Sequence, residues 1–149
     1  MAPKFSLQAV LDFRHNRVEG LEMEYGKLQD ARQQGLTMQA ETSQFLGQLY
    51  NQLQESQNGE LDLFVIQHLR SDISSTQERL AQISAALALL EEKIEAKRLE
   101  MIAARQSEET LNTLKDKEQT RWLAERTRAE NSQQDDTYIS QAFRRSIGV

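Results

Sequence analysis

A chain of 149 residues in which 38% are hydrophobic and 28% are charged has a composition unlike that of a compact globular domain. The net charge of −5 is made up of both signs along the chain, and residues 111–149, at about +1, are too weakly basic and too poor in aromatic residues to predict a nucleic-acid partner. Because the chain has no cysteine, it has neither a disulfide framework nor a thiolate metal site.

The start of the chain, MAPKFSLQAVLDF, has no long apolar core and no small-residue cleavage site, so we expect no signal peptide. No apolar run approaches the roughly 18 residues that a membrane-spanning helix needs. We therefore expect a soluble, cytoplasmic protein.

Apolar residues recur with a 3.5-residue period in two long stretches, and Pro3 is the only proline that could interrupt a helix. The first frame comprises Leu7, Leu11, Arg14, Val18, Leu21, Tyr25, Leu28, Arg32, Gly35, Gln39, Thr42, Leu46, Leu49 and Leu53. The second frame comprises Ile66, Leu69, Ile73, Thr76, Leu80, Ile83, Leu87, Leu90, Ile94, Lys97, Met101, Ala104, Glu108 and Leu111. Such a sustained period is typical of a left-handed coiled coil. Beyond Met101 the second frame weakens, and we expect Leu111, Leu114 and Trp122 not to share one phase.

The dipeptide Asn58-Gly59 separates the two frames, and both residues tolerate a positive φ at little cost. We predict a tight turn at about 57–60 between a first helix over about 5–56 and a second helix over about 61–143. The predicted fold class is therefore all-α: two long helices form an antiparallel coiled-coil hairpin in a single domain over 1–149, and the second helix is longer.

A turn centred near Asn58 also predicts which residues face each other. Leu28 is expected opposite Leu87 and Phe5 opposite Leu111, which leaves an unpaired overhang from about 112. The polar part of the first frame, residues 32–42, would face the polar residues 74–77 and 81–84 and form a loosely packed waist. We expect residues 131–136 to fray and residues 144–149 to be poorly ordered.

No set of residues in the sequence predicts catalysis. A GxxxxGK[ST] loop is absent, so nucleotide binding by that route is excluded. His15 is expected opposite Met101 and therefore far from His68, so each is interpreted as a solvated histidine rather than a metal ligand. The adjacent carboxylates at 91–92 and 108–109 diverge by about 100° on a helix and cannot face each other as an acid and base pair. We predict no enzyme activity, no cofactor, no metal and no small-molecule substrate.

Aromatic residues beside the frames allow two interpretations. Phe45 and Tyr50 flank the first frame and Phe64 follows the turn; they either lie along the seam and widen it, or form a docking patch near the hairpin tip. Trp122 lies on the predicted overhang, so we interpret it as a contact for a partner or for a second copy of the chain.

Residues 4–14, KFSLQAVLDFR, resemble the start of the FliJ family of flagellar type III export proteins, which begin with a basic residue, Phe-x-Leu, an apolar pair and another basic residue. The chain length, a turn just before residue 60 and a longer second arm are also similar. So are residues 111–117, LNTLKDK, and the later pairs Asp135-Asp136 and Arg144-Arg145. The acidic pair departs from the family pattern, in which Asp-Glu is usual.

The resemblance implies a stalk-like coupling protein, similar to the central stalk of rotary ATPases, at the cytoplasmic face of the inner membrane. The end with both termini would sit in the pore of a hexameric export ATPase, and the other end would reach the membrane export gate. The chain would also act as an export chaperone and meet other export chaperones, with a role in flagellum biogenesis, motility and chemotaxis. The implied gate-binding residues are Phe45, Leu49, Tyr50, Leu69 and Ile73. The implied ATPase-binding residues are Arg14, Arg17, Lys115 and Arg121.

Two other classes remain as alternatives. A generic coiled-coil adaptor or chaperone would bind a partner without an ATPase ring. A helical arm cut from an enzyme is less favoured, because Met1 and a complete hairpin indicate a whole protein. Co-purification of a hexameric ATPase from the native cell would distinguish these classes.

Overall fold

A computed structural model describes residues 3–147, and two helices account for almost all of them. Helix α1 spans Gln8–Gln57 and helix α2 spans Leu63–Ser146. The predicted all-α fold class is confirmed: there is no strand in the described part, the second helix is longer, and the two helices pair as a hairpin. α2 runs without a break through residues 131–136, where the sequence predicts fraying. Of the segment 144–149, the last two residues lie outside the described part.

The buried residues of the hairpin follow the two predicted frames. Every position of the first frame from Leu11 to Leu53 is buried or half-buried, and so is every position of the second frame from Ile66 to Leu111. Leu7, the first frame position, is exposed. The core is therefore a single narrow seam, because each helix has only one neighbour to cover it.

The sequence predicts one domain, and the contacts of the described chain cluster into two compact units. Unit 1 contains residues 3–18 and 103–147, and unit 2 contains Glu19–Ile102. Within each unit a segment of α1 pairs with a segment of α2.

The connection at the hairpin tip, in unit 2, is longer than predicted. It covers residues 58–62, between the end of α1 and the start of α2. The Asn58 amide donates to the carbonyl of Glu55 at 3.2 Å, and the Asp62 carboxylate caps α2 by accepting from the amides of Phe64 at 3.0 Å and Val65 at 3.4 Å. Gly59 does not adopt the positive φ on which the predicted tight turn rests. The centre of the connection therefore lies closer to α2 than the predicted centre at Asn58.

The register in unit 2 consequently differs from the predicted one. Leu87 lies against Gly35, seven positions after Leu28, its predicted partner. Lys97 Nζ donates to Glu24 Oε2 at 2.7 Å, which raises the pKa of Lys97. A heptad frame is unchanged when it is moved by seven residues, so the period indicates which residues face the partner helix but not at which level. The predicted register is wrong by one heptad because the centre of the turn, which decides the level, lies about three residues closer to α2 than Asn58, and each residue of that displacement moves the facing position by two.

The same shift changes the predicted polar waist. Gln39 Nε2 donates to Ser84 Oγ at 3.1 Å, and Arg32 pairs with Glu91. Residues 32–42 therefore lie along residues 80–91, the most regular apolar part of the second frame, and not along residues 74–77. The predicted polar waist is therefore wrong for residues 74–77, whereas residues 81–84 do lie along this part of α1, as the bond of Gln39 to Ser84 shows.

In unit 1 the pairing continues beyond the predicted start of the overhang. Leu111 is buried, and Lys115 and Trp122 are half-buried. Trp122 lies two heptads after Glu108, so both Leu111 and Trp122 are in phase with the second frame, whereas Leu114 is exposed and out of phase. The three residues do not share one phase, as predicted, because Leu114 departs from it while Leu111 and Trp122 keep it. Uninterrupted exposure begins at residue 123 rather than 112, because the one-heptad shift brings the start of the chain beside later residues of α2.

Candidate protein-interaction surfaces

The seam next to the tip, in unit 2, contains three residues that the family resemblance assigns to gate binding. Leu49, Leu69 and Ile73 form a buried cluster against which Leu46 and Leu53 pack. Their side chains are covered as long as the two helices are paired, so a partner cannot touch them directly. They hold the two helices together next to the exposed residues Phe45 and Tyr50.

Phe45 and Tyr50, the other two residues of that set, are accessible. Their exposed fractions are 50% and 44%. The Tyr50 hydroxyl accepts a hydrogen bond from Gln77 Nε2 on the other helix, which fixes the direction of the ring. Of the two interpretations of these aromatics, the docking patch fits their exposure better than a widened seam.

A further apolar group lies at the tip, and the sequence analysis identified only Phe64 of it, as part of a docking patch. We call it the tip cluster, and its exposed members are Leu61, Leu63, Phe64 and Val65. Phe64 is 80% exposed. These residues precede Ile66, which is the first buried position of α2. Before Ile66, α1 offers no facing surface that could cover them. The signal in the sequence is the run LDLFVI, in which apolar residues occupy consecutive positions outside the frame.

The four basic residues assigned to ATPase binding all belong to unit 1. Arg14 Nη1 donates to the Ser107 carbonyl at 2.8 Å. Arg121 pairs with Glu125 four residues later at 3.2 Å. Arg17 is exposed, and Lys115 is half-buried. The accessible charges of this set are therefore those of Arg17 and Arg121.

Trp122 is covered by the start of the chain. A crevice of about 40 Å³ is enclosed by Pro3, Lys4, Phe5, Lys115, Glu118, Gln119 and Trp122. On its other side the Arg126 guanidinium lies 5.4 Å from the centre of the indole ring, a cation–π distance. The premise that nothing in the chain covers Trp122 is therefore wrong, because residues of the same unit half-bury it; its contact with a partner or second copy stays a prediction.

The last part of α2 carries an apolar face without cover from the described residues. Its exposed apolar side chains are Leu123, Tyr138, Ile139, Phe143 and Ile147. We call residues 123–147 the tail. Ile139 and Phe143 continue the phase of the second frame, so they share the face that is buried earlier in α2.

The two units differ in charge. Unit 1 carries eleven lysine and arginine residues against nine acidic residues, and unit 2 carries seven against fourteen. Their formal charges are therefore +2 and −7, which together give the −5 of the chain. An acidic partner is favoured by unit 1 and a basic one by unit 2.

The two histidines lie on different parts of the hairpin. His15 Nδ1 is 2.6 Å from Glu108 Oε1, one heptad beyond its predicted level at Met101. His68 Nε2 is 3.5 Å from Asp72 Oδ2 on the same helix. Within residues 3–147 no group of three or more His, Cys, Asp or Glu side chains is placed to hold a metal ion. Neither helix, over its described length, has an apolar stretch sufficient to cross a membrane.

A family model described as Flagellar FliJ protein matches residues 3–147. The chain belongs to the FliJ family. The family resemblance predicted from the sequence is thereby confirmed, and the match covers nearly the whole chain. The FliJ family is a non-enzymatic family of flagellar export proteins, and membership in it implies that this chain is related to flagellar export. No curated protein and no solved structure matches it in the corresponding comparisons.

Proposed function

We propose that this FliJ-family chain couples a hexameric export ATPase to the membrane export gate and also receives export chaperones. The observation that carries the proposal is the difference between its two units: a basic unit with both ends of the chain, and an acidic unit with exposed apolar residues at the tip. A protein that links two partners needs two chemically distinct surfaces, and binding energy at such surfaces comes mainly from aromatic and arginine residues. Its place of action would be the cytoplasmic side of the inner membrane.

In this proposal the gate binds the exposed aromatics Phe45 and Tyr50, together with the tip cluster. Leu49, Leu69 and Ile73 support them from the seam. The tip cluster is bordered by acidic residues, among them Glu60 and Asp62. A partner with an apolar pocket and a basic rim would match this surface.

The gate contact is tested with Phe45→Ala combined with Tyr50→Ala. We expect the Kd for the purified cytoplasmic part of the gate to rise at least about tenfold, since an aromatic anchor at an interface contributes about 2 kcal/mol or more. Phe13→Ala is the matched control, because Phe13 is a 68% exposed aromatic of α1 in the other unit. Unchanged binding and unchanged swimming of the double variant would show that these residues do not contact the gate.

The ATPase would bind the basic residues of unit 1, with Arg17 and Arg121 as direct contacts and Arg14 and Lys115 as residues that order the surface. We expect Arg17→Glu with Arg121→Glu to lower the stimulation of ATP hydrolysis by the purified ring about tenfold or more, through loss of attraction and added repulsion. Arg70→Glu, on unit 2, is the control. Equal stimulation by both variants would contradict the assignment. Truncation after Leu111, which removes the tail and Trp122, is expected to abolish stimulation.

An adaptor or chaperone that does not meet an ATPase is the second candidate. The exposed apolar face of the tail favours it, because this face could receive another helix without any ring. Capture of the tagged chain from its native cell distinguishes the two. A co-purifying hexameric ATPase is expected from the coupling role, and recovery of export chaperones alone would favour the adaptor.

A further inference from the structure

The tail carries an apolar patch that no described residue covers. Tyr138, Ile139 and Phe143 are between 63% and 74% exposed. At about 100° per residue, these three side chains and that of Ala142 lie within an arc of about 140° on one side of the helix. We call these four residues the tail patch. Because a helix normally buries an apolar arc of this width against a neighbour, the tail patch indicates an interaction surface.

Charged residues of opposite sign lie at the two ends of the tail patch. Asp135 precedes the patch and lies within its arc, and Arg145 follows the patch at about 20° beyond the edge of the arc. Neither forms an ion pair with another described residue, whereas Arg126 pairs with Glu130 four positions later. Asp135 and Arg145 have no side chain of opposite charge three or four positions away on their own helix. Both charges are therefore available to another chain.

An acid at one end and a base at the other make this surface complementary to a copy of itself. In an antiparallel pair centred at Ser140, Asp135 of each copy lies at the level of Arg145 of the other, because both are five positions from the centre. Tyr138 then lies at the level of Ala142, a large side chain beside a small one. A parallel pair would place like charges at the same level. Since like charges destabilise a helix pair, the charge pattern favours two antiparallel copies.

We propose that the tail is a dimerisation surface, to which a second copy of the chain binds antiparallel through the tail patch. Two short helical segments bury less than the roughly 1,200 Å² of a standard interface, so we expect a Kd of about 10–100 µM. Below that concentration the tail of each copy stays uncovered. The frame residues of both units take no part in this contact. The proposed function needs no second copy, so the two proposals stand independently.

Sedimentation equilibrium of the full chain tests the dimer. Between about 1 and about 500 µM, we expect the average mass to rise from that of one copy towards that of two. Ile139→Ala with Phe143→Ala removes much of the apolar area and is expected to raise the Kd at least about tenfold. Leu123→Ala is the matched control, because Leu123 is an exposed apolar residue of the tail that lies about 60° outside the arc.

Three results of this measurement would overturn the proposal. The wild-type chain could remain a single copy over the whole range, in which case the tail patch binds a different protein. The double variant could associate like the wild type. The control could lose association to the same extent as the double variant, which would locate the contact outside the tail patch.

Charge reversal tests the antiparallel arrangement. Asp135→Arg and Arg145→Asp each place like charges at both ends of the pair, so each variant alone is expected to raise the Kd at least about fivefold. An equimolar mixture of the two variants restores opposite charges at both ends and is expected to recover wild-type association. Arg144→Asp is the control, because Arg144 lies on the side of the helix opposite to the tail patch.

The single charge variants distinguish the two orientations. In a parallel pair each reversal would exchange one pair of like charges for another, so association would not change. Unchanged association of both single variants would therefore overturn the proposal, as would a mixture that associates no better than its components. Circular dichroism verifies that each variant remains as helical as the wild type.

Discussion

Gly35 is the residue at which packing and helix propensity oppose each other. Glycine inside a helix is less favourable than alanine by about 1 kcal/mol, so a glycine there usually marks a site at which a side chain does not fit. At Gly35 the obstacle is Leu87, whose Cδ2 lies 2.6 Å from the position that a β-carbon would take. At Gly47, also in α1 and unit 2, a β-carbon would meet nothing within 4 Å.

Gly47→Ala is therefore expected to raise the free energy of unfolding by about 0.5–1 kcal/mol, through helix propensity alone. Gly35→Ala is expected to lower it or leave it unchanged, because crowding in a packed seam costs about 1–3 kcal/mol. Thermal unfolding followed by circular dichroism measures both. A rise in Tm for Gly35→Ala equal to that for Gly47→Ala would show that Leu87 does not pack closely there.

Individual residues of the candidate surfaces were predictable to different degrees. Phe45 and Tyr50 could be identified from sequence because they flank frame positions. The burial of Leu69 and Ile73 also follows from the frame, and it conflicts with a direct partner contact. Apart from Phe64, the tip cluster was missed, because the end of α1 at Gln57 is what shows that the first residues of α2 lack a facing helix.

In unit 1 the N-terminal segment from Pro3 to Phe5 covers part of α2. Phe5 and Trp122 line one small crevice, and the carbonyl of Phe5 accepts from the Gln8 amide at 3.1 Å, so the segment is held at the first turn of α1. The sequence does indicate the phase of Trp122, two heptads after Glu108, but the exposed Leu114 obscures it. The crevice itself depends on the register and could not be predicted from the period.

The crevice predicts the fluorescence of Trp122, the single tryptophan of the chain. Phe5→Ala removes one wall, so the indole is expected to emit at longer wavelength and to be quenched more strongly by acrylamide. Phe13→Ala, a substitution of an exposed phenylalanine in the same unit, is expected to leave both unchanged. Equal spectra for the wild type and Phe5→Ala would contradict the packing of the N-terminal segment on α2.

For the molecule as a whole, composition and period were sufficient for the fold class, because a 3.5-residue repeat without proline admits few structures other than long paired helices. The levels at which residues meet were not determined by the same signal. The predicted and observed registers differ by one heptad, and the difference comes from five residues, 58–62, whose length and capping decide the pairing of all the others in unit 2. An error of a few residues in the position of the turn therefore changes the predicted facing partner of every frame residue in unit 2.

After Trp122, α2 continues as a helix that no other described residue covers, because the register ends the pairing there. Most helical stability in proteins comes from packing of an apolar face, which the tail lacks among the described residues. The tail has only modest support from pairs such as Arg126 with Glu130 at 3.1 Å, worth about 0.2–0.5 kcal/mol each. We expect amides of residues 124–147 to exchange with deuterium at least about 100-fold faster than those of residues 87–94, which lie in the seam.

Hydrogen exchange measured by mass spectrometry checks this gradient. The matched control is a chain truncated after Leu123, in which protection of residues 87–94 is expected to be unchanged because every position of both frames is retained. Strong protection of the tail in the full chain would contradict an unaccompanied helix. If that protection decreased on dilution, the cover would be a second copy of the chain, and the apolar face of Ile139 and Phe143 would be its interface.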